Sequence, residues 1–321
     1  MKFGFGGYGE LELPVRRNQL HDDAVALQSA RAAFYLYLSS NKVRKIYIPE
    51  YLCTSLDSVF STLNISIQKY TINSRFLPSK KIELMNDERL VIVNYFGLCD
   101  EGISKYLESY SDFSNVIIDN SQALFSPVIG GITTIYSPRK FLGIPDGGFL
   151  YSRDINDEPV EFFDSSRSSV HLLLRAAGEI NKGYDEFLRA EAALENHEPR
   201  KMSKISRRII DSIELKNVID RRVNNFTKMH EHFSSINSLT FDLSSKTVPL
   251  CYPLKLNSSI DSIWKKLLTY DVYLPRYWEV EKSSSSYEYY DKTLFLPIDQ
   301  RLDDQDVERL ACLIIELINN E

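Results

Sequence analysis

The chain has 321 residues, with 38 Lys plus Arg against 44 Asp plus Glu, and is 43% hydrophobic and 12% aromatic. So much apolar side chain excludes bulk disorder, and a net charge of −6 lacks the global basic field of a nucleic-acid binder. The longest apolar runs, such as Leu310 to Ile315, are too short to cross a bilayer, so no membrane partner is expected. The opening MKFGFGGYGELELP has no apolar signal region. Cys53, Cys99, Cys251 and Cys312 are scattered without a CxxC pair, so the expectation is a reducing cytoplasm and no zinc or disulfide framework.

In chain order, residues 23–39 (DAVALQSARAAFYLYLS) read as a helix starting near Ser29 or a little earlier. Residues 45–49 (KIYIP) form a short strand ending at a proline. A helical stretch follows at 55–63, and a strand at 65–70. LVIVNY at 90–95 is nearly continuous in apolar residues, as in a parallel strand covered on both faces. NVIID at 115–119, then 132–136 and 148–151, complete the strands. This alternation predicts an α/β fold with a parallel or mixed sheet under helices. Residues 160–234 contain no convincing strand and predict two or three long helices, for example 205–233. A strand at 248–256, a helix at 260–268, a strand at 293–296 and a final helix from Leu302-Asp303-Asp304 to Ile318 restore the α/β pattern. The serine run 283–286 reads as a mobile loop. The division expected is a large α/β domain at 1–200, a helical connector at 201–240 and a small α/β domain at 241–321.

Chemistry concentrates after two strands. In IIDNSQALF, Asp119 ends an apolar run and Gln122 lies three residues on. In IYSPRKFLGIPDGG, Ser137 and Lys140 follow the next strand, and Asp146-Gly147-Gly148 closes the turn. Open α/β sheets bind ligands outside the carboxyl ends of their strands. An acid, an amine and a hydroxyl emerging there suit pyridoxal 5′-phosphate. The lysine bonds the aldehyde, the carboxylate keeps the pyridine nitrogen protonated, and Ser137 reaches the phosphate. A helix start at Ser29, Ala30 and Arg31 offers N–H groups and a positive dipole end to the same phosphate.

These segments resemble the DegT/StrS sugar aminotransferases, fold-type I pyridoxal-phosphate enzymes. QSARAAFYLYL resembles the family's phosphate segment. IYIPEYLCTS resembles the segment that places a residue over the cofactor ring, and VIVNYFG another cofactor-side strand. IIDNSQA resembles the acid-x-x-Gln signature, SPRKFLGIPDGG the lysine loop, and LFLPIDQRLDDQDVERL the C-terminal strand, turn and helix. The resemblance implies a fold-type I architecture with a large three-layer domain and a smaller C-terminal one. It also implies transfer of an amino group from an amino acid, glutamate for instance, to a nucleotide-linked keto-sugar, within a homodimer whose active sites are composite. In that frame Lys140 is the cofactor lysine, Asp119 the partner of the pyridine nitrogen, and Gln122 a neighbour of the phenolic oxygen. Cys53 or Tyr51 covers the ring. Three departures stand out: the family's usual N-terminal helices are missing, which implies a remodelled substrate pocket; Ile135 occupies the usual phosphate-serine position, so Ser137 substitutes; and the ring-covering residue is ambiguous.

Plainer roles compete. Lys140 and Arg31 could be surface cations, Asp119 an N-cap and Gln122 a turn cap. A different pyridoxal-phosphate reaction, or a binding or scaffold protein, is the alternative function. GFGGYG at 4–9 spells a dinucleotide motif but has no preceding strand, and reads instead as a pocket lip with Tyr8 near substrate. Tyr95 is a further substrate candidate. In VYLPRYW, Arg276 among aromatics suits a nucleotide diphosphate or, equally, a packed domain corner. The pairs Arg207–Arg208 and Arg221–Arg222 read as solvated helix faces. His230 and His232 at i,i+2 are not a metal pair, and no metal is expected.

Overall fold

In a computed structural model of the protein, which describes residues 6–320, strands and helices alternate through the first half. Strand β1 (Val25–Leu27) leads into helix α1 (Ala30–Ser40), and β2 (Lys45–Pro49) leads through α2 (Asp57–Thr62) to β3 (Ser66–Tyr70). Next, β4 (Glu88–Val93) leads through α3 (Asp100–Leu107) to β5 (Val116–Asn120), then β6 (Thr133–Tyr136) and β7 (Gly148–Tyr151). All seven join one sheet in the order β1-β7-β6-β5-β4-β2-β3. Only β7 runs against its neighbours, so the other six strands point the same way and open their carboxyl ends on one edge. Every residue of β4 and β5 is buried, as their apolar runs require of strands covered on both faces. Register sets Val93 beside Asp119 and Asp119 beside Ile135, which carries the ends of β4, β5 and β6 to the same level.

The second half holds α4 (Val170–Ala176), α5 (Ile180–Ala193), α6 (Lys204–Ile210), α7 (Leu215–Phe233), β8 (Cys251–Lys255), α8 (Asp261–Thr269), α9 (Tyr287–Lys292), β9 (Thr293–Pro297) and α10 (Asp304–Asn319). Antiparallel β8 and β9 form a second sheet with its own apolar core. Phe226, Met229 and Phe233 of α7 meet Leu254, Leu296 and Ile314 there. A reciprocal capping box between Asp303 and Asp306 opens α10, so the acidic first turn read in the sequence does the capping.

Three sequence expectations are corrected. Residues 25–27 of the stretch read as helical form the edge strand β1, while the helix start expected near Ser29 holds: Ser29, in extended conformation, caps α1 by accepting the Ala32 N–H. The stretch 205–233 is two helices. Asn18 donates from Nδ2 to the Ile210 and Ile213 carbonyls, satisfying the end of α6 with a residue nearly two hundred positions away. The serine run ends anchored: Ser286 is fully buried, donates to Glu50 Oε1 at 2.7 Å, and starts α9, which the sequence did not predict.

Candidate active site

The carboxyl edge of the large sheet gathers most of the candidates. Asp119 is the penultimate residue of β5 and is 5% exposed; its Oδ1 accepts the Ser121 N–H at 2.9 Å. Lys140 ends a 3₁₀ turn, Pro138–Lys140, immediately after the neighbouring strand β6. Its side chain is exposed, and its ammonium has no hydrogen-bond or ion-pair partner among the described residues. Ser137 opens that turn, largely buried, with a hydroxyl that caps nothing. The lysine therefore does not stand as part of a surface ion pair, and Asp119 does not cap a helix.

The start of α1 closes on the same loop. Gly147 donates to the Gln28 carbonyl at 2.7 Å, and Gly148 packs directly on the Ser29–Ala30 peptide. A Cβ on Gly148 would come within 2.3 Å of the Ser29 carbonyl carbon, so only glycine lets β7 and the helix start approach this closely. Ser29 Oγ takes the Ala32 N–H, while the Arg31 N–H has no acceptor among the described residues. The Arg31 guanidinium is spent elsewhere, on the Ser55 carbonyl at 2.8 Å and the Leu194 carbonyl at 2.7 Å. It ties α1 to the β2 loop and the end of α5, so what Arg31 offers an anion is its backbone.

Gln122 is 1% exposed. Its Oε1 accepts the N–H of Phe96, a residue held at φ 58°, and its Nε2 is buried without a partner. A buried amide donor left unpaired costs free energy unless something completes it. Between β4 and β5, the Asn94 amide lies within 3.1 Å of Asp100, Asn120 and Ser126, and Ser126 donates to the other oxygen of Asp100. Burial raises the Asp100 pKa against those two hydrogen bonds. This network, which the sequence reading missed, ties together the two strand ends that deliver Asp119 and the turn at Tyr95.

Several other candidates are buried or paired elsewhere. Tyr51 is fully buried, gives its hydroxyl to the Tyr277 carbonyl and stacks 5.8 Å from Tyr95. Of the two ring-covering candidates only Cys53 is partly exposed, its Sγ 2.9 Å from Ser55 Oγ. Tyr95 is corrected from substrate contact to core: it is fully buried, and its hydroxyl is bound by the Tyr51 carbonyl. Arg276 pairs with Asp261 and lies 4.3 Å over the Tyr290 ring, leaving only its Nε unpaired, while Tyr277 and Trp278 pack into the large core. The loop around it is a packed corner. Tyr8 is fully exposed; Gly4 and Phe5 of the proposed lip lie outside the described residues. Arg222 is not on a solvated face but is 2% exposed, whereas Arg221 pairs with Asp304. Arg207 pairs with Asp22 and Asp211, and Arg208 donates to the Leu13 and Pro14 carbonyls, so neither is simply solvated. His230 bonds Tyr252 and His232 bonds Glu308, two separate partners.

Among solved structures, the putative sugar aminotransferase Spr1654 from Streptococcus pneumoniae matches with a TM-score of 0.64 at 14% identity, over 92% of this chain and 86% of that one. The chain has the fold of the sugar aminotransferases. CalS13 from Micromonospora echinospora, also a sugar aminotransferase, matches at 0.61 and 13% identity over 94% and 93% of the two chains. A DegT DnrJ EryC1 StrS aminotransferase from Brucella abortus matches at 0.60 and 13% over 91% and 85%. No protein-family description and no curated protein sequence matches the chain. The fold-type I architecture read from the motifs is thus the observed one. Among the described residues no helix is long and apolar enough to cross a membrane.

Proposed function

We propose that the chain is a pyridoxal-phosphate-dependent aminotransferase acting on a keto-sugar, with a nucleotide-linked sugar as acceptor and glutamate as amino donor. The observation that carries this reading is the unpaired ammonium of Lys140 and the buried carboxylate of Asp119 at the ends of adjacent parallel strands. Two further features fit the cofactor: the orphaned Gln122 Nε2, and the helix start that Gly148 brings against the lysine loop.

When bound, pyridoxal phosphate supplies an electron-accepting ring and carries the amino group between two substrates. Lys140, exposed at the loop, would bond the aldehyde carbon and, once the donor's amino group has displaced it, would move the proton at the donor's Cα. Asp119, drawn out of water, would keep a proton on the pyridine nitrogen. Gln122 would donate from its unpaired Nε2 to the ring oxygen, and the Ser137 hydroxyl and Arg31 N–H would bind phosphate oxygens. Cys53, partly exposed, would border the ring. The test is incubation with pyridoxal phosphate, borohydride reduction and peptide mapping, followed by assay of 2-oxoglutarate formed from glutamate. A pyridoxyl group on Lys140 is expected; label confined to another lysine, or none, refutes the assignment.

The same reading includes a homodimer. The hairpin of α4 and α5 leaves Leu173 58% and Tyr184 60% exposed, with Phe187 and Leu188 beside them, an apolar face of the sort a second copy covers. Its end lies beside α1 through the Arg31–Leu194 contact, so a partner docked there reaches the phosphate end of the site. Sedimentation over a dilution series, with Leu173→Asp as the disrupting variant, tests it; a wild-type monomer at micromolar concentration rules it out.

A further inference from the structure

Arg222 of α7 is buried to 2% exposure, yet it has no ion-pair partner among the described residues; the nearby carboxylate of Asp299 is held by Arg301 at 2.7 and 3.0 Å. Its donors go instead to three separate segments. Nε reaches Gln300 Oε1 at 3.1 Å, one terminal nitrogen reaches the Leu250 and Pro249 carbonyls at 3.0 and 3.4 Å, and the other reaches the Phe141 carbonyl at 3.4 Å. The guanidinium also lies 4.6 Å from the centre of the Phe141 ring. Gln300 Nε2 donates to the same Phe141 carbonyl at 3.0 Å. Phe141 directly follows Lys140.

A buried guanidinium without a counter-ion is an expensive way to fill space, and an apolar side chain of the same volume would be cheaper. Burial lowers the Arg222 pKa to about 10, so the group is still charged at neutral pH. What an arginine alone provides is a rigid fork with five donors, able to bind carbonyls of several segments at once. Here one of those segments is Phe141, the residue that follows the lysine. Asp146 holds the far end of the loop, accepting from Ser203 and Ser206 at the start of α6 at 2.5 Å each. On the other side, the Leu250 N–H donates to the Phe96 carbonyl, and the Phe96 N–H to Gln122 Oε1. Hydrogen bonds thus run without a break from Gln122 through Arg222 to the residue beside Lys140.

We infer that Arg222, with Gln300, is a positioning residue that clamps the Lys140 turn to the second sheet. The inference rests on the function proposed above, but the clamp can be read without the cofactor. In protein with no cofactor added, Arg222→Met and Gln300→Leu should speed exchange of the Lys140, Phe141 and Leu142 amides by about 10-fold, since the turn opens more often. Arg222→Lys should restore only part of the protection. With pyridoxal phosphate, borohydride-fixed capture on Lys140 should slow by about 10- to 100-fold, the effect of misplacing a reacting group. Affinity for pyridoxamine phosphate, which forms no bond to the lysine, should hold. Unchanged amide exchange in both variants overturns the inference, as does an equal loss of capture and pyridoxamine phosphate affinity. If Arg222→Met does not fold, Gln300→Leu, at a partly exposed position, decides alone. Failure of the wild-type protein to capture the cofactor at Lys140 would sink the proposed function, while the exchange measurement would still judge the clamp.

Discussion

Gly148→Ala should damage this protein far more than alanine at Gly102 or Gly130. The added Cβ would lie 2.3 Å from Ser29 C, 2.4 Å from Ser29 O and 2.5 Å from Ala30 N. Carbon atoms rest about 3.5–4.0 Å apart, so relief needs a movement of more than ~1 Å. The obstacles are backbone atoms, and no rotamer change removes them. Neither side yields readily: Gly148 is registered opposite Leu27 and Phe149 opposite Tyr136, while the helix start is capped by Ser29. Overpacking of this kind costs ~3 kcal/mol, and losing the Gly147–Gln28 hydrogen bond adds ~1 kcal/mol. A loss near 4 kcal/mol is a large part of the ~5–15 kcal/mol that keeps a domain folded. Urea unfolding followed by fluorescence reads it as a lower midpoint, and pyridoxamine phosphate affinity should fall with it because the helix start is displaced. The two other glycines calibrate the result. At Gly102 the new Cβ meets only the end of the Leu77 side chain, at 2.8 Å, and gains ~1 kcal/mol of helix propensity, so the net change should be small. At Gly130 it meets nothing within 4 Å. Gly148→Ala matching Gly130→Ala in stability would refute the close approach of β7 to the start of α1.

Ser29→Ala removes the cap of α1 and should cost ~1 kcal/mol in urea unfolding, together with weaker binding of inorganic phosphate as the first turn frays. Asp100 carries a pKa raised by burial, so between the unfolded value, about 3.9, and the raised one the folded state holds the extra proton. Its contribution to stability is therefore complete below that window and lost as pH rises through it; Asp100→Asn should flatten this slope, and an unchanged slope would show the group is not responsible. Asp119→Asn keeps an oxygen for the Ser121 N–H, so folding and cofactor capture on Lys140 should persist while the half-reaction with glutamate slows by about 100-fold. Full half-reaction rates would remove Asp119 from the chemistry.

The parts of the fold that could be read from sequence are those whose signal is local. LVIV in β4 and VII in β5 are apolar over consecutive positions because helices cover both faces of the sheet, and that demand is written at each residue. The acidic opening of α10 is likewise a local device, a carboxylate three residues from another. What escaped was set by distant partners. Val25–Leu27 resembles the start of a helix until Gly148 and Leu150 of β7 are there to pair with it. Nothing between Ile210 and Leu215 announces a break; the break exists because Asn18 arrives to bind the carbonyls it frees. Three-residue strands and long-range caps carry too little pattern of their own to compete with a helical period.

The site divides in the same way, with one instructive exception. That Asp119, Ser137 and Lys140 stand at strand ends was legible because a strand end fixes where the next few side chains emerge, whereas the different burial of Tyr51 and Cys53 was not, since two neighbouring residues on one loop do not reveal it. Arg222 did leave a trace. The buried positions of α7 are Val218, Arg222, Asn225, Phe226, Met229 and Phe233, a single helical stripe at spacings of three and four. Arg221 lies off that stripe and pairs with Asp304 at the surface; Arg222 lies on it, one turn from Val218 and one from Phe226. Taken as a dipeptide the two arginines look alike, but the period separates them. A cation on the apolar stripe must find hydrogen-bond acceptors inside the protein, and Asn225, the other polar member, does so with the carbonyls of Ile298, Asp299 and Leu302. Polar residues on an apolar period thus mark where a helix fastens loops rather than merely packs, and in α7 the loops so fastened are the lysine turn, the entry to β8 and the turn after β9.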